Sequence, residues 1–212
     1  VNASPHIGHL YTALVSDATK RWNAMNSSDQ ENNFLITGTD EHGSKVEKAA
    51  LKNGFDDTKS FCDDVSMSFR DVFDKFDVKY DKFVRTTQPD HVSTVQDAWS
   101  RMRDNGYIYE GEHSGWYCES EESFLTEKEL TILKDESRVS KTTGNPASFV
   151  TEKNYMFRLS SFQSEILKWL DENPDVIVPS SRYNEIKQFV SSGLRDISIS
   201  RPRDRVPWAV RL

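Results

Sequence analysis

The stretch that most constrains the fold is Phe34-Leu35-Ile36-Thr37-Gly38-Thr39-Asp40-Glu41-His42-Gly43. Four residues of buried-strand character run straight into a glycine and a polar cluster. A helix is then expected from about Gly43 to Asn53, with Gly54 as its stop. Upstream, Ser4 is a good helix N-cap and Pro5 suits a first helical position. Apolar residues at Ile7, Leu10, Tyr11, Leu14, Ala18, Trp22 and Met25 mark one face of a helix running to about Met25. Helix, strand, helix is the rhythm of a doubly wound parallel sheet, whose ligands bind at the carboxyl ends of strands. Asp40 would sit at such an end, where a carboxylate can hold an ammonium group by a charge-assisted hydrogen bond. The plainer alternative is that Thr39 or Asp40 caps the next helix.

His6 and His9 fall one turn apart at the start of the first helix. Unpaired backbone N–H groups and the positive end of the helix dipole make such an end an anion site. Two imidazoles there can donate to a phosphate, and Gly8 lets a bulky nucleotide approach the backbone. Ala13 follows on the same stripe and leaves room for a ligand. The alternative is an ordinary pair of surface histidines.

Composition excludes several classes. The net charge of -7 and pI near 5.3 provide no bulk basic field, so any RNA contact must use local patches. Cys62 and Cys118, the only 2 cysteines, form no disulfide framework and read as intracellular. No apolar run approaches the roughly 18 residues of a membrane span, and no targeting segment is visible. A hydrophobic content of 36% is modest, but 5 Trp, 7 Tyr and 12 Phe supply a core.

Further along, an amphipathic helix is expected from about Asp57 to Phe76, with Asp63, Asp64, Asp71 and Asp74 on its solvated face. A short strand, Lys82 to Thr86, and a helix, Asp90 to Asn105, follow. Tyr107–Glu110 and Ser114–Cys118 suggest a hairpin around Gly111. Thr126 to Asn145 reads as polar loop, Phe149 to Arg158 as strand, and Ser161–Glu172 and Ser181–Ser192 as helices. Leu194 to Ser200 should re-enter the main sheet, ahead of a locally basic tail with Arg195, Arg201, Arg203, Arg205 and Arg211.

His6-Ile7-Gly8-His9 resembles the first signature of class I aminoacyl-tRNA synthetases, a histidine pair that the small nucleotidyltransferases share. Together with Gly38-Thr39-Asp40-Glu41-His42-Gly43, it resembles the methionyl-tRNA synthetases of the bacterial and mitochondrial kind. Arg85-Thr86-Thr87, Gly115-Trp116-Tyr117-Cys118, Asn154–Ser160 and Ser198-Ile199-Ser200-Arg201 follow in that family's order. The resemblance implies an α/β protein: the first half of a Rossmann-type (HUP-like) parallel sheet, with an inserted α+β connective-peptide domain. Residues 1–105 would be the first half of the catalytic domain, 106–193 the insertion and 194–212 the return. The implied reaction is activation of methionine by ATP, with Mg2+, to methionyl-adenylate, then transfer to the acceptor end of methionine tRNA. His6, Gly8 and His9 would bind ATP, with His6 and His9 catalytic, Asp40 would bind the methionine ammonium, and Arg201 is a candidate for the active-site wall. The implied compartment is the mitochondrial matrix or the bacterial cytoplasm.

The family's insertion often carries a zinc knuckle of Cys-x-x-Cys pairs. Here Cys118 is followed three residues later by Glu121, His113 is the other nearby candidate, and no second cysteine pair exists. Zinc is therefore not expected, and packing should hold the loop. Arg138-Val139-Ser140-Lys141-Thr142 is similar to the second class I signature but lies inside the insertion, so a polar loop is expected. The chain is expected to be truncated on both sides of the nucleotide fold and inactive alone. Two other functions stay open: a nucleotidyltransferase using the histidine pair on another acceptor, and a non-catalytic synthetase-like module binding RNA or protein.

Overall fold

The computed structural model describes residues 2–26 and 33–212. The chain divides into two compact units, Val1–Asp97 with Asp204–Leu212, and Ala98–Arg203.

The first unit contains α1 (Ile7–Asn26), β1 (Ile36–Thr39), α2 (Ser44–Lys52), α3 (Thr58–Lys75) and β2 (Lys82–Arg85); α4 (Pro89–Asp104) begins in it. β1 and β2 pair in parallel, from Ile36 opposite Lys82 to Thr39 opposite Arg85. Parallel neighbours need a long crossover, which α2 and α3 supply. The pairing brings the carboxyl ends of both strands to one edge, so that the segment after Thr39 lies beside the one after Arg85. Gly38 permits the close approach: a Cβ there would stand 1.8 Å from the Val84 carbonyl oxygen. Asp57 caps α3 by accepting the Ser60 amide at 2.9 Å, and α3 buries Phe61, Val65, Phe69 and Phe73. The core closes around Leu10, Val46, Ala50 and Val78, with Trp208 packed against it.

α1 departs from expectation twice. It begins at Ile7, because imidazoles replace the expected serine cap: His6 Nδ1 accepts the Gly8 amide at 3.1 Å, and His9 Nδ1 accepts the His6 amide at 3.1 Å. Its buried residues are Leu10, Ala13 and Asp17, whereas Ile7, Tyr11, Trp22 and Met25 are exposed. Periodicity finds an apolar stripe but not which side meets the core. Here the core side carries an acid, made tolerable by Arg21 Nε at 2.8 Å and the Lys79 amide at 3.3 Å. Ala13 consequently fills core and does not leave ligand space.

The second unit holds β3 (Ile108–Cys118), β4 (Ser123–Leu125), β5 (Leu130–Ile132), β6 (Arg138–Ser140), β7 (Pro146–Phe157), α5 (Gln163–Glu172), α6 (Ser180–Ser191) and β8 (Ile197–Ser198). Its antiparallel sheet runs β4-β3-β7-β6-β5, with β8 also on β7. The expected hairpin at Gly111 is absent: β3 is one strand, paired with β7 from Ile108–Phe157 to Tyr117–Ser148. Gly111 answers crowding, since a Cβ would come within 2.8 Å of Met156 Cγ. The expected loop at Thr126–Asn145 instead contains β5 and β6, which pair with each other; β6 also pairs with β7. Nor does Leu194–Ser200 re-enter the parallel sheet. The segment's strand β8 pairs antiparallel with β7, in the second unit's sheet, through Met156–Ser198 and Phe157–Ile197. Among the described residues, no helix is long and apolar enough to cross a membrane.

Candidate active site

A cleft of about 360 Å³ in the first unit is lined by His6 and His9 from the start of α1, Gly38 and Thr39 from β1, Asp40 just after it, and Phe69 from α3. The residues before α1, Asn2 to Ser4, complete its wall. The structure thus brings His6, His9 and Asp40 together across 34 residues of sequence.

The histidine rings stack with centroids 3.8 Å apart, and His9 leans on Phe69 at 5.0 Å. Each Nδ1 accepts a backbone amide. Each neutral ring therefore carries its proton on Nε2, as a donor. Burial, and then the neighbouring His6, hold His9 below the ordinary imidazole range, which favours this neutral form. Gly8 is absent from the lining. Its immediate task is to make room for the His6 ring, whose Cε1 would lie 2.9 Å from a Cβ at that position.

Asp40 is exposed, between two buried neighbours, Thr39 and Glu41. Glu41 is 0% exposed. Its carboxylate accepts from Arg85 Nε at 2.7 Å and Nη2 at 3.0 Å, from Thr39 at 2.6 Å and from Thr87 at 2.5 Å. Burial would raise this carboxyl, but the bonds from Arg85, Thr39 and Thr87 outweigh it and hold it below the usual carboxylate range. Arg85 also meets Asp63 at 2.6 Å, so one member of the acidic face of α3 is not simply solvated. Burial and then the Glu41 charge push the Cys62 thiol up to about 11, leaving it an inert part of the core. His42, half-buried and lowered mainly by burial, lies 6.0 Å from Trp208.

Glu41, Arg85 and Thr87 stand in motifs of the sequence with no role evident from it, and Trp208 stands in none. For Glu41, the one available signal was a second acid beside Asp40. Nothing local could reveal Trp208, which meets Glu41 across 167 residues.

Arg201 belongs to the second unit. Its guanidinium lies over Phe124 at 5.1 Å and Tyr117 at 5.7 Å, and it donates to Ser198 Oγ at 3.0 Å and the Ser200 carbonyl at 2.8 Å.

In the same unit, Glu121 meets Thr143 in the turn after Ser140. Thr143 Oγ1 donates to Glu121 at 2.5 Å, and Ser140 Oγ accepts the amides of Thr142 and Thr143 at 3.2 and 3.3 Å. The Cys118 thiol contacts Ser120 at 3.3 Å, and His113 is packed edge-on to Phe124. One thiol, one carboxylate and two hydroxyls do not fit tetrahedral zinc, which takes thiolates and imidazoles. The loop is held by hydrogen bonds as well as packing. Lys141, in the sequence similar to the second signature, donates to the Lys128 carbonyl at 2.6 Å.

Known proteins resemble the chain along its whole length. The family model for tRNA synthetases class I (M) matches residues 1–138 and 128–212. A probable mitochondrial methionine–tRNA ligase of Dictyostelium discoideum is 43% identical over 222 residues, covering 100% of this chain and 38% of that protein. The methionine–tRNA ligase of Rickettsia felis is 44% identical over 201 residues, covering 95% of this chain and 38% of the relative. The crystal structure of Mycobacterium tuberculosis methionyl-tRNA synthetase bound by methionyl-adenylate superposes with a TM-score of 0.88 at 37% identity. That match covers 100% of this chain and 40% of that one. The chain therefore spans well under half the length of these relatives, and it shares the Rossmann-type α/β fold expected for it.

Proposed function

This chain belongs to the class I tRNA synthetases (M), and from that premise we propose that the protein carrying it is a methionine–tRNA ligase. Its reaction is attack of the methionine carboxylate on the ATP α-phosphorus, with departure of pyrophosphate. The terminal ribose of methionine tRNA then attacks the adenylate carbonyl, and AMP leaves. One observation carries the reading: two phosphate-competent imidazoles and a carboxylate line a single cleft.

No covalent enzyme intermediate is needed, so catalysis rests on positioning and electrostatics. His6 and His9 donate from Nε2 to the ATP phosphates, at the positive end of α1. Gly8 serves this by admitting the His6 ring, and it keeps the main chain open to the nucleotide. Asp40 holds the methionine ammonium. Arg201, held within the second unit by Ser198, Ser200, Tyr117 and Phe124, does not line this cleft and is given no ligand role. Mg2+ accompanies ATP as part of the substrate. The first unit, residues 1–97 with 204–212, is assigned as the catalytic portion and the second, residues 98–203, as the connective-peptide insertion, rather than the division at 105 and 193 expected from the sequence. The mitochondrial and bacterial relatives support work in the mitochondrial matrix or the bacterial cytoplasm.

The test is methionine-dependent ATP–pyrophosphate exchange by the full-length protein. His6→Ala or His9→Ala should slow exchange roughly a hundredfold or more, with methionine affinity little changed. Asp40→Asn should raise the methionine KM while ATP binding persists. Exchange that ignores methionine, or a folded double-histidine variant with an unchanged rate, would refute the proposal.

A further inference from the structure

We propose that Trp208 and Glu41 are positioning residues that hold the Asp40–His42 segment in its ligand-binding conformation. The inference rests on Asp40 being the ammonium site and deepens that reading. Neither residue lines the cleft, so each must act through the segment between them.

The hold on the main chain is nearly continuous. Glu41 N–H donates to Thr86 Oγ1 at 2.8 Å. The Glu41 carbonyl accepts the Trp208 indole N–H at 2.5 Å, and the Gly43 N–H donates to the Trp208 carbonyl at 3.0 Å. Trp208 therefore grips the segment at two points, from side chain and backbone. Gly43 needs such a grip, because at φ 106° it lies in the left-handed region and no regular ladder fixes it. On the other side, the Glu41 carboxylate is tied to Arg85, Thr39 and Thr87. Thr39 and Glu41 are immobilised, so the exposed Asp40 between them has its backbone fixed on both flanks. Pre-organisation of this kind reduces the ordering cost of binding at the group it aims. Trp208 arrives from residues 204–212, which rejoin the first unit. Residues 204–212 thus brace the segment that carries Asp40 without lining the cleft.

The test uses the full-length protein in methionine-dependent exchange, with Trp208→Phe, which keeps an aromatic ring but loses the N–H donor. The methionine KM should rise about threefold to tenfold, the scale of one lost hydrogen bond, while the ATP KM stays within about twofold. Trp208→Ala should do more; if it fails to fold, Trp208→Phe still decides. In an Asp40→Asn background, Trp208→Phe should change the methionine KM little, because the route runs through Asp40. A purely structural tryptophan would lower the melting temperature and the active fraction without moving KM, and that result would overturn the proposal. So would an equal KM effect in both backgrounds. If Asp40→Asn alone leaves KM unchanged, the ammonium-site reading falls and takes this one with it. If Asp40→Asn raises KM and Trp208→Phe does not, only the positioning role falls.

Discussion

Replacing Arg85 by Met should be among the most damaging changes in the first unit, although Arg85 does not line the cleft. Glu41 is fully buried and Arg85 is 17% exposed. Arg85→Met keeps an unbranched apolar chain but leaves an ionised carboxylate with only the hydroxyls of Thr39 and Thr87. Removing one partner of a buried pair costs about 3–5 kcal/mol. The surviving hydroxyl bonds favour the lower end, near 3 kcal/mol. The Asp63 contact, with Asp63 itself 44% exposed, adds at most a few tenths. For a unit of roughly a hundred residues that corresponds to about 12 °C or more in melting temperature. The variant should also acquire an opposite pH response. Without Arg85, burial dominates and lifts the Glu41 pKa above its unfolded value. The folded form then binds more protons, and stability falls as pH rises above the unfolded carboxyl range. Calorimetry of the full-length protein between pH 4 and 8, with amide exchange across residues 36–43, measures both effects. Glu41→Gln combined with Arg85→Met should recover most of the loss, because no charge is left stranded. A melting temperature within about 2 °C of wild type for Arg85→Met, or no recovery in the double variant, would refute the reasoning.

Three other outcomes follow from particular contacts. Gly38→Ala puts a Cβ 1.8 Å from the Val84 carbonyl oxygen; parting two strands should cost about 3 kcal/mol or more and appear as lost soluble yield or a large melting shift. Burial is the first cause holding His9, His42 and His113 below the ordinary imidazole range, so the unfolded chain binds more protons in mild acid. Their stabilisation is present above the unfolded value and lost as pH falls through the folded ones, and a melting temperature flat between about pH 6.5 and 5 would contradict this. Elemental analysis should find no zinc that depends on Cys118; stoichiometric metal released by Cys118→Ser would show that the Glu121–Thr143 arrangement is not what holds that loop.

How much was legible divides by range. The amphipathic α3 and the helices near α5 and α6 are local consequences of propensity and period, and they appear where the residues place them. The strand expected to be buried at Phe34–Thr37 instead spans Ile36–Thr39, with Phe34 and Ile36 exposed, because local apolarity does not say which residues the sheet covers. The histidine pair and Asp40 were also readable as candidates, because their residue types at a helix start and a strand end restrict the chemistry. Tertiary structure decided what local pattern leaves degenerate. It chose Asp17 over Ile7 as a core-facing position of α1, because a buried acid can be satisfied by distant partners and periodicity counts only apolarity. It made Gly111 part of a long strand, where it sits against the Met156 side chain and not in a turn, so a glycine in the sequence does not by itself mark a chain reversal. It used His6 as a helix cap, although a serine stood ready two residues earlier. Above all it joined Glu41 to Arg85 and to Trp208. A buried charge and its counter-charge are set by which strands become neighbours, and that information exists only once the chain has folded.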